Sequence, residues 1–169
     1  MTVPGQGVGR APSAMLPLSY LLAAAAAFVL ACVSVPALAG DLAGHYYQPR
    51  VVALTHTVTL GWITLSILGA SYQLIPVVLV RQVWSERLAR WELGMLVTGI
   101  AGMVAHFYLG RWLGLLLASV MVAAGIAVHI VNTALTLKNL ERWSFTARLI
   151  AMGFAGLGLT VLFGLLLGA

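Results

Sequence analysis

Four histidines carry most of the chemistry this sequence could perform: His45, His56, His106 and His129. Histidine titrates near neutral pH and ligates metals through a neutral ring nitrogen. Three of the four (His56, His106 and His129) sit inside long apolar stretches, and an ionisable residue within a membrane span is a functional-site candidate by default. Other chemistries are missing. The single cysteine, Cys32, forms neither a disulfide nor a Cys-x-x-Cys-His haem attachment motif. There is no Walker or Gly-x-Gly-x-x-Gly nucleotide loop, no His-Glu-x-x-His and no Gly-x-Ser-x-Gly elbow. What remains is ligation by histidines far apart in sequence, so the elements that carry them decide which can meet.

Those elements must be membrane helices. The chain has 169 residues, 62% of them hydrophobic and 8% charged, against roughly 45–50% and 25% in soluble domains. One fold of this size could not hide so much apolar surface from water. The expected fold is therefore all-α, a polytopic membrane helix bundle embedded in lipid. Five apolar segments appear, at Ala14–Ala39, Val51–Val80, Leu93–Leu109, Trp112–Leu137 and Leu149–Ala169. Each is close to the 17–25 residues, roughly, that cross a hydrocarbon core. Gly110–Arg111 must then be a very tight turn between two spans. With this choice of segments no Asp or Glu lies within a span, which disfavours a carboxylate proton relay. Residues 1–13 read as a disordered tail and 14–169 as one transmembrane domain. The first segment has a rival reading as a signal peptide cleaved after Ala37-Leu38-Ala39, leaving four spans, but it exceeds the usual h-region length.

Charge sets the orientation. Nine Lys/Arg against four Asp/Glu give +5, without the clustered basic patch that a nucleic-acid surface needs. The tail with the second and fourth loops holds Arg10, Arg81, Arg87, Arg90, Lys138, Arg142 and Arg148; the other side holds Arg50 and Arg111. The positive-inside rule places the N-terminus in the cytoplasm and the chain in the inner (plasma) membrane. His56 then lies about 8 Å below the outer face and His106 about 5 Å, at 1.5 Å of rise per residue. His129 lies about 26 Å from that face, in the cytoplasmic half. His56 and His106 can share a site; His129 cannot join them.

The faces around these residues point the same way. His56, Thr59, Ile63, Ser66, Ala70, Gln73 and Val77 make a small and polar stripe expected to face protein. Gly99, Gly102 and His106 share one face, as do Gly125, His129, Asn132 and Thr133. Gly156, Thr160, Gly164 and Gly168 permit close helix contact. The plainer alternative for any of these histidines is a hydrogen bond to a neighbouring helix. His45 reads as a solvated loop residue, and Trp84, Trp91, Trp112 and Trp143 as interfacial anchors.

The second span reads Leu54-Thr55-His56-Thr57-Val58-Thr59-Leu60-Gly61-Trp62 and then Gly69-Ala70-Ser71-Tyr72-Gln73-Leu74-Ile75-Pro76. It resembles the second helix of the haem-copper oxidase subunit I superfamily, above all its small subunit I-like members. There, a histidine early in this helix is an axial ligand of a low-spin haem near the outer face, and His56 is the residue that matches. The likeness covers about the first four or five of roughly twelve helices. The helices carrying the family's copper ligands have no counterpart, and there is no His-His pair. The resemblance therefore implies haem b without a copper centre.

On that basis the expected function is electron transfer through a b-type haem. His56 is one ligand, and His106, or a histidine of a second subunit, is the other; His129 is a lesser candidate. Arg50 and Arg111 are placed to pair haem propionates. The chain would be an electron carrier or oxidoreductase subunit rather than an enzyme by itself, with a quinol or cytochrome as redox partner. It would assemble as a homo-oligomer or with other membrane subunits. The competing expectation is a non-catalytic accessory subunit of a larger respiratory complex.

Overall fold

The computed structural model describes residues 13–138, 140 and 143–168. The expected tail, except for Ser13, lies outside the described residues, together with Arg10, Arg142 and Ala169. The described chain is all helix and loop. Its elements are α1 (Met15–Ala37), a single helical turn at Ala39–Leu42, α2 (Pro49–Leu79), α3 (Glu86–Leu109), α4 (Leu113–Leu137) and α5 (Phe145–Gly168). All five numbered helices are long and apolar enough to cross a membrane, and the chain is a multi-pass membrane protein. Arg81, Arg87, Arg90, Lys138 and Arg148 lie at or near one end of the bundle, called here the basic end.

Local chemistry sets the helix boundaries. Pro49 opens α2 at a position where its missing N–H costs nothing. Ser85 caps α3, its hydroxyl accepting from Leu88 N at 3.2 Å, with Glu86 in the first turn. At the far end of α3, Gly110 takes φ 64°, which glycine adopts without penalty. Arg111 N then closes onto His106 O at 2.9 Å, and α4 begins at Leu113. The tight turn expected at Gly110–Arg111 is there.

Two expectations need correction. The third span does not begin at Leu93. The helix starts seven residues earlier, at Glu86, and carries Glu92 inside it with no solvent exposure. Ending the segment at a charge is misleading here, because this carboxyl group is hydrogen-bonded by partners on other helices. Arg87 and Arg90 consequently lie on the first turns of α3 rather than in a loop.

The second correction concerns α2. Its buried residues are Ala53, Thr57, Gly61, Leu65, Leu68, Gly69, Tyr72, Ile75 and Pro76, whereas Thr59, Ile63, Gln73 and Val77 are exposed. The hydroxyls need no protein partner: Thr55 and Thr59 donate to Val51 O and Thr55 O within their own helix. Thr57–Thr64 is moreover a π-helical segment, in which Thr64 Oγ1 donates to Thr59 O, five residues back, at 2.8 Å. A wider turn rotates the faces out of simple 3.6-residue register, and such insertions occur often at functional sites.

Close approach of backbones holds the bundle. A Cβ at Gly61 would stand 2.8 Å from Ala27 Cβ, and one at Gly69 2.6 Å from Tyr20 Cβ, so α1 lies against α2 at both levels. Gly99 faces Val122 and Ala118 of α4, as the Gly99–Gly102–His106 face predicts. The core gathers Leu16, Tyr20 and Ala24 of α1 with Leu68 and Tyr72 of α2, Leu96 of α3 and Ile126 of α4. In α5, a Cβ at Gly153, Gly156 or Gly164 would meet nothing within 4 Å, so at Gly156 and Gly164 its glycine stripe packs on no other helix among the described residues.

Candidate functional site

The polar interior lies toward the basic end, where four helices each contribute to one network. Glu92 is six residues into α3 and His129 eight residues before the end of α4, so both sit about 9–12 Å inside the helix ends. Both are fully buried, and His129 Nδ1 lies 2.8 Å from Glu92 Oε1. Tyr72 of α2 donates its hydroxyl to Glu92 Oε2 in a short hydrogen bond. Asn132, one turn below His129, donates to Tyr72 Oη at 3.1 Å and to Ser85 O at 3.1 Å, while Ser85 N donates to Asn132 Oδ1 at 3.1 Å.

Packing fixes the rings. His129 is held edge-on to Tyr72, with centroids 4.7 Å apart, and against Phe154 of α5 at 5.0 Å. On the second imidazole nitrogen, Nε2, the neighbour is Ser71 Oγ at 3.1 Å. From α1, Tyr20 packs on Tyr72 and donates to Ala89 O at 2.8 Å. A carboxyl–imidazole pair taken this far from water requires that its remaining hydrogen-bonding atoms be satisfied, and here each has a partner. The face Gly125, His129, Asn132 and Thr133 is buried, as expected. Glu92 was missed because the span was cut at Leu93. Tyr72 was missed because nothing in its local sequence announces a carboxylate partner twenty residues away.

His56 and His106 lie at the opposite end, on α2 and α3. His56 is half-buried and stacks on Phe107, with centroids 4.9 Å apart. Its Nδ1 is 2.8 Å from Val52 O. A carbonyl can only accept, so Nδ1 carries a proton and the neutral ring keeps its lone pair at Nε2. Histidine ligands are commonly oriented by such a bond from the other ring nitrogen. His106 is arranged differently. Its imidazole lies over Gly114 of α4, where a Cβ would overlap the ring, and its buried Nδ1 has no partner. The two side chains thus share one end of the bundle but rest on different neighbours.

The remaining expected residues are close by. Arg50 pairs with Asp41 at 3.6 Å and lies over the Tyr108 ring at 5.4 Å. Arg111 is exposed at the α3–α4 turn, and His45 is an exposed loop residue stacked on Tyr46. A groove of about 590 Å³ runs between α1, the π-helical segment and α3, with Thr57, Gly61, Val104 and Tyr108 in its walls. Its size is in the range, roughly 300–1,000 Å³, of cofactor sites. His56 is not a wall residue, but its neighbour Thr57 is. Among the described residues no three His, Cys, Asp or Glu side chains converge as a metal cluster.

A b-type haem asks for two axial donors and an apolar slot. His56 could supply one donor through Nε2, and the groove beside Thr57 is apolar, but neither His56 nor His106 lines it. His106 turns Nε2 against Gly114 and buries its unpartnered Nδ1. No protein-family model, curated protein or solved structure matches this chain.

Proposed function

We propose that this protein carries electrons within the membrane through a b-type haem, with His56 as an axial ligand at the end remote from the basic loops. The observation that carries the reading is the bond from His56 Nδ1 to Val52 O, which leaves Nε2 as the available donor. The π-helical segment that begins at the next residue and the apolar groove beside it add support, as does the likeness of the second helix to oxidase subunit I. The haem would supply a one-electron couple. The protein's part would be to hold it by His56, to keep water away with the apolar walls and to meet its propionates with Arg50 and Arg111.

The packing of His106 on Gly114 favours a histidine from a second copy as the other ligand, and hence a homo-oligomer. The unpacked glycine stripe of α5 offers such an assembly a close-contact face. In this reading the redox partner is a quinol or a cytochrome. The basic end faces the cytoplasm and the membrane is the plasma membrane, from the Lys/Arg distribution.

The same open face of α5 favours a second reading, an accessory subunit packing within a larger respiratory complex without a cofactor. The visible spectrum of the protein purified from haem-replete cells separates the two. Electron transfer predicts a Soret band with sharp α and β bands on dithionite reduction. A colourless protein means the accessory reading.

A further inference from the structure

The hydrogen bonds around His129 determine how many protons the buried pair holds. Ser71 Oγ lies 2.7 Å from Leu68 O and 3.1 Å from His129 Nε2. The single hydroxyl proton of Ser71 goes to the carbonyl, which can only accept, so the contact with Nε2 is made by a proton on the imidazole. On the other side, one more proton lies between Nδ1 and Glu92 Oε1, while Glu92 Oε2 accepts from Tyr72. Tyr72 Oη in turn accepts from Asn132 Nδ2. Whichever atom holds the inner proton, the pair carries two protons and no net charge.

The groups facing the pair among the described residues are few. Tyr72 comes from α2, Asn132 from α4 and Phe154 from α5, with Tyr20 of α1 behind Tyr72. Arg87 and Arg90 share α3 with Glu92 but are exposed. Ser85 is half-buried but borders the network only through the Asn132 amide, and the residue at its edge that bonds His129 directly is Ser71. That residue is half-buried and lines a groove of about 700 Å³ between α2 and α5. The groove walls include Val78 and Thr146, each beside the basic end of its helix. From Leu79 to Ser71 is eight residues, about 12 Å of rise, so a file of water from that end past Thr146 would be short, between walls that are otherwise mainly apolar.

We propose that Ser71, His129, Glu92 and Tyr72 form a buried proton-exchange site that releases one proton through Ser71 to water in the α2–α5 groove. In the step, the Ser71 hydroxyl gives its proton to a groove water, forming hydronium, as Ser71 Oγ receives the proton from His129 Nε2. The new hydroxyl proton then points at the Nε2 lone pair instead of Leu68 O. The pair passes from neutral to a single negative charge, with Nδ1–H still held by the Glu92 carboxylate, and the reverse step refills it. Tyr72 and Asn132 position Glu92 and do not give up protons. The site is independent of haem and stands or falls separately from it.

Nitrogen NMR of the full chain in lipid nanodiscs, labelled at histidine, reads the site directly, with His129→Gln assigning the signal. The proposal expects a protonated Nε2 whose hydrogen exchanges with D2O far faster than the neighbouring amides of α4. Ser71→Ala should slow that exchange by about a hundredfold, and Ser71→Thr, which keeps the hydroxyl, should restore it. Ser71→Ala leaves the buried imidazole N–H without its partner, so thermal unfolding is followed for both variants and the exchange rates are compared on the folded protein, with Ser71→Thr keeping the bond. Exchange as slow as the α4 amides in the unaltered protein would overturn the proposal. So would a rate that Ser71→Ala leaves alone.

Discussion

Two ends of the same bundle treat a histidine within a span in opposite ways. At the basic end His129 has partners on both ring nitrogens, Glu92 Oε1 at 2.8 Å and Ser71 Oγ at 3.1 Å, and its ring is clasped by Tyr72 and Phe154. At the other end His56 uses one nitrogen on its own helix, and His106 buries Nδ1 with no partner. A closed network contributes stability and a unique arrangement of helices, since breaking one member strands the others. Open donors contribute neither, and natural structures leave them where chemistry or a ligand uses them. Burial of a histidine therefore says little by itself; what matters is whether its nitrogens are already occupied.

The largest effect expected from this contrast is at Glu92. Glu92→Ala strands His129 and the Tyr72 hydroxyl in a site with no solvent access, and should cost about 3–5 kcal/mol. Unfolding in mixed detergent micelles measures it. Replacing Glu92 and His129 together by Leu should recover most of that loss, because an apolar pair leaves no charge uncompensated. A double variant as unstable as the single one would break the contrast.

Next comes the α3–α4 seam. Gly99→Ala drives a Cβ against backbone, with Val122 N at 3.0 Å and Ala118 O at 3.1 Å. It should cost about 1–3 kcal/mol in the same assay, because helix backbone cannot step aside. At Gly114 the three atoms nearest to a Cβ all belong to the His106 ring, a side chain that can move. Gly114→Ala should therefore cost less and swing the imidazole outward, which a histidine NMR shift change would register.

Asn132→Ala unpairs the N–H of Ser85 and removes one acceptor bond each from Ser85 O, which still accepts from Ala89 N, and from Tyr72 Oη. About 1–3 kcal/mol is expected, again by detergent unfolding. Smallest of all is His106→Leu, near zero or slightly stabilising, because it deletes a buried nitrogen that bonds nothing. A loss there as large as at Asn132 would mean that the two ends are not different in kind.

Much of the architecture was legible in the sequence. Five apolar stretches, the Gly110–Arg111 turn, the glycine face of α3 and the polar face of α4 follow from periodicity and span length, which the bilayer enforces strongly. Two things were hidden. Glu92 reads as a boundary because a lone carboxylate is costly in a membrane, and a linear reading cannot show a histidine 37 residues later that removes the cost. The buried face of α2 was misassigned because threonines that bond their own backbone look polar in sequence yet need no neighbour. The π-helical turn displaced the register further.

The central claim, that the open histidine and not the closed one serves a cofactor, is tested most directly by adding haem b to three purified proteins: the unaltered chain, His56→Ala and His129→Ala. Reduced spectra are then compared. The account predicts low-spin α and β bands in the unaltered chain and in the folded fraction of His129→Ala, and their loss or conversion to high spin in His56→Ala. Low-spin bands that survive in His56→Ala, or vanish only in folded His129→Ala, would contradict it.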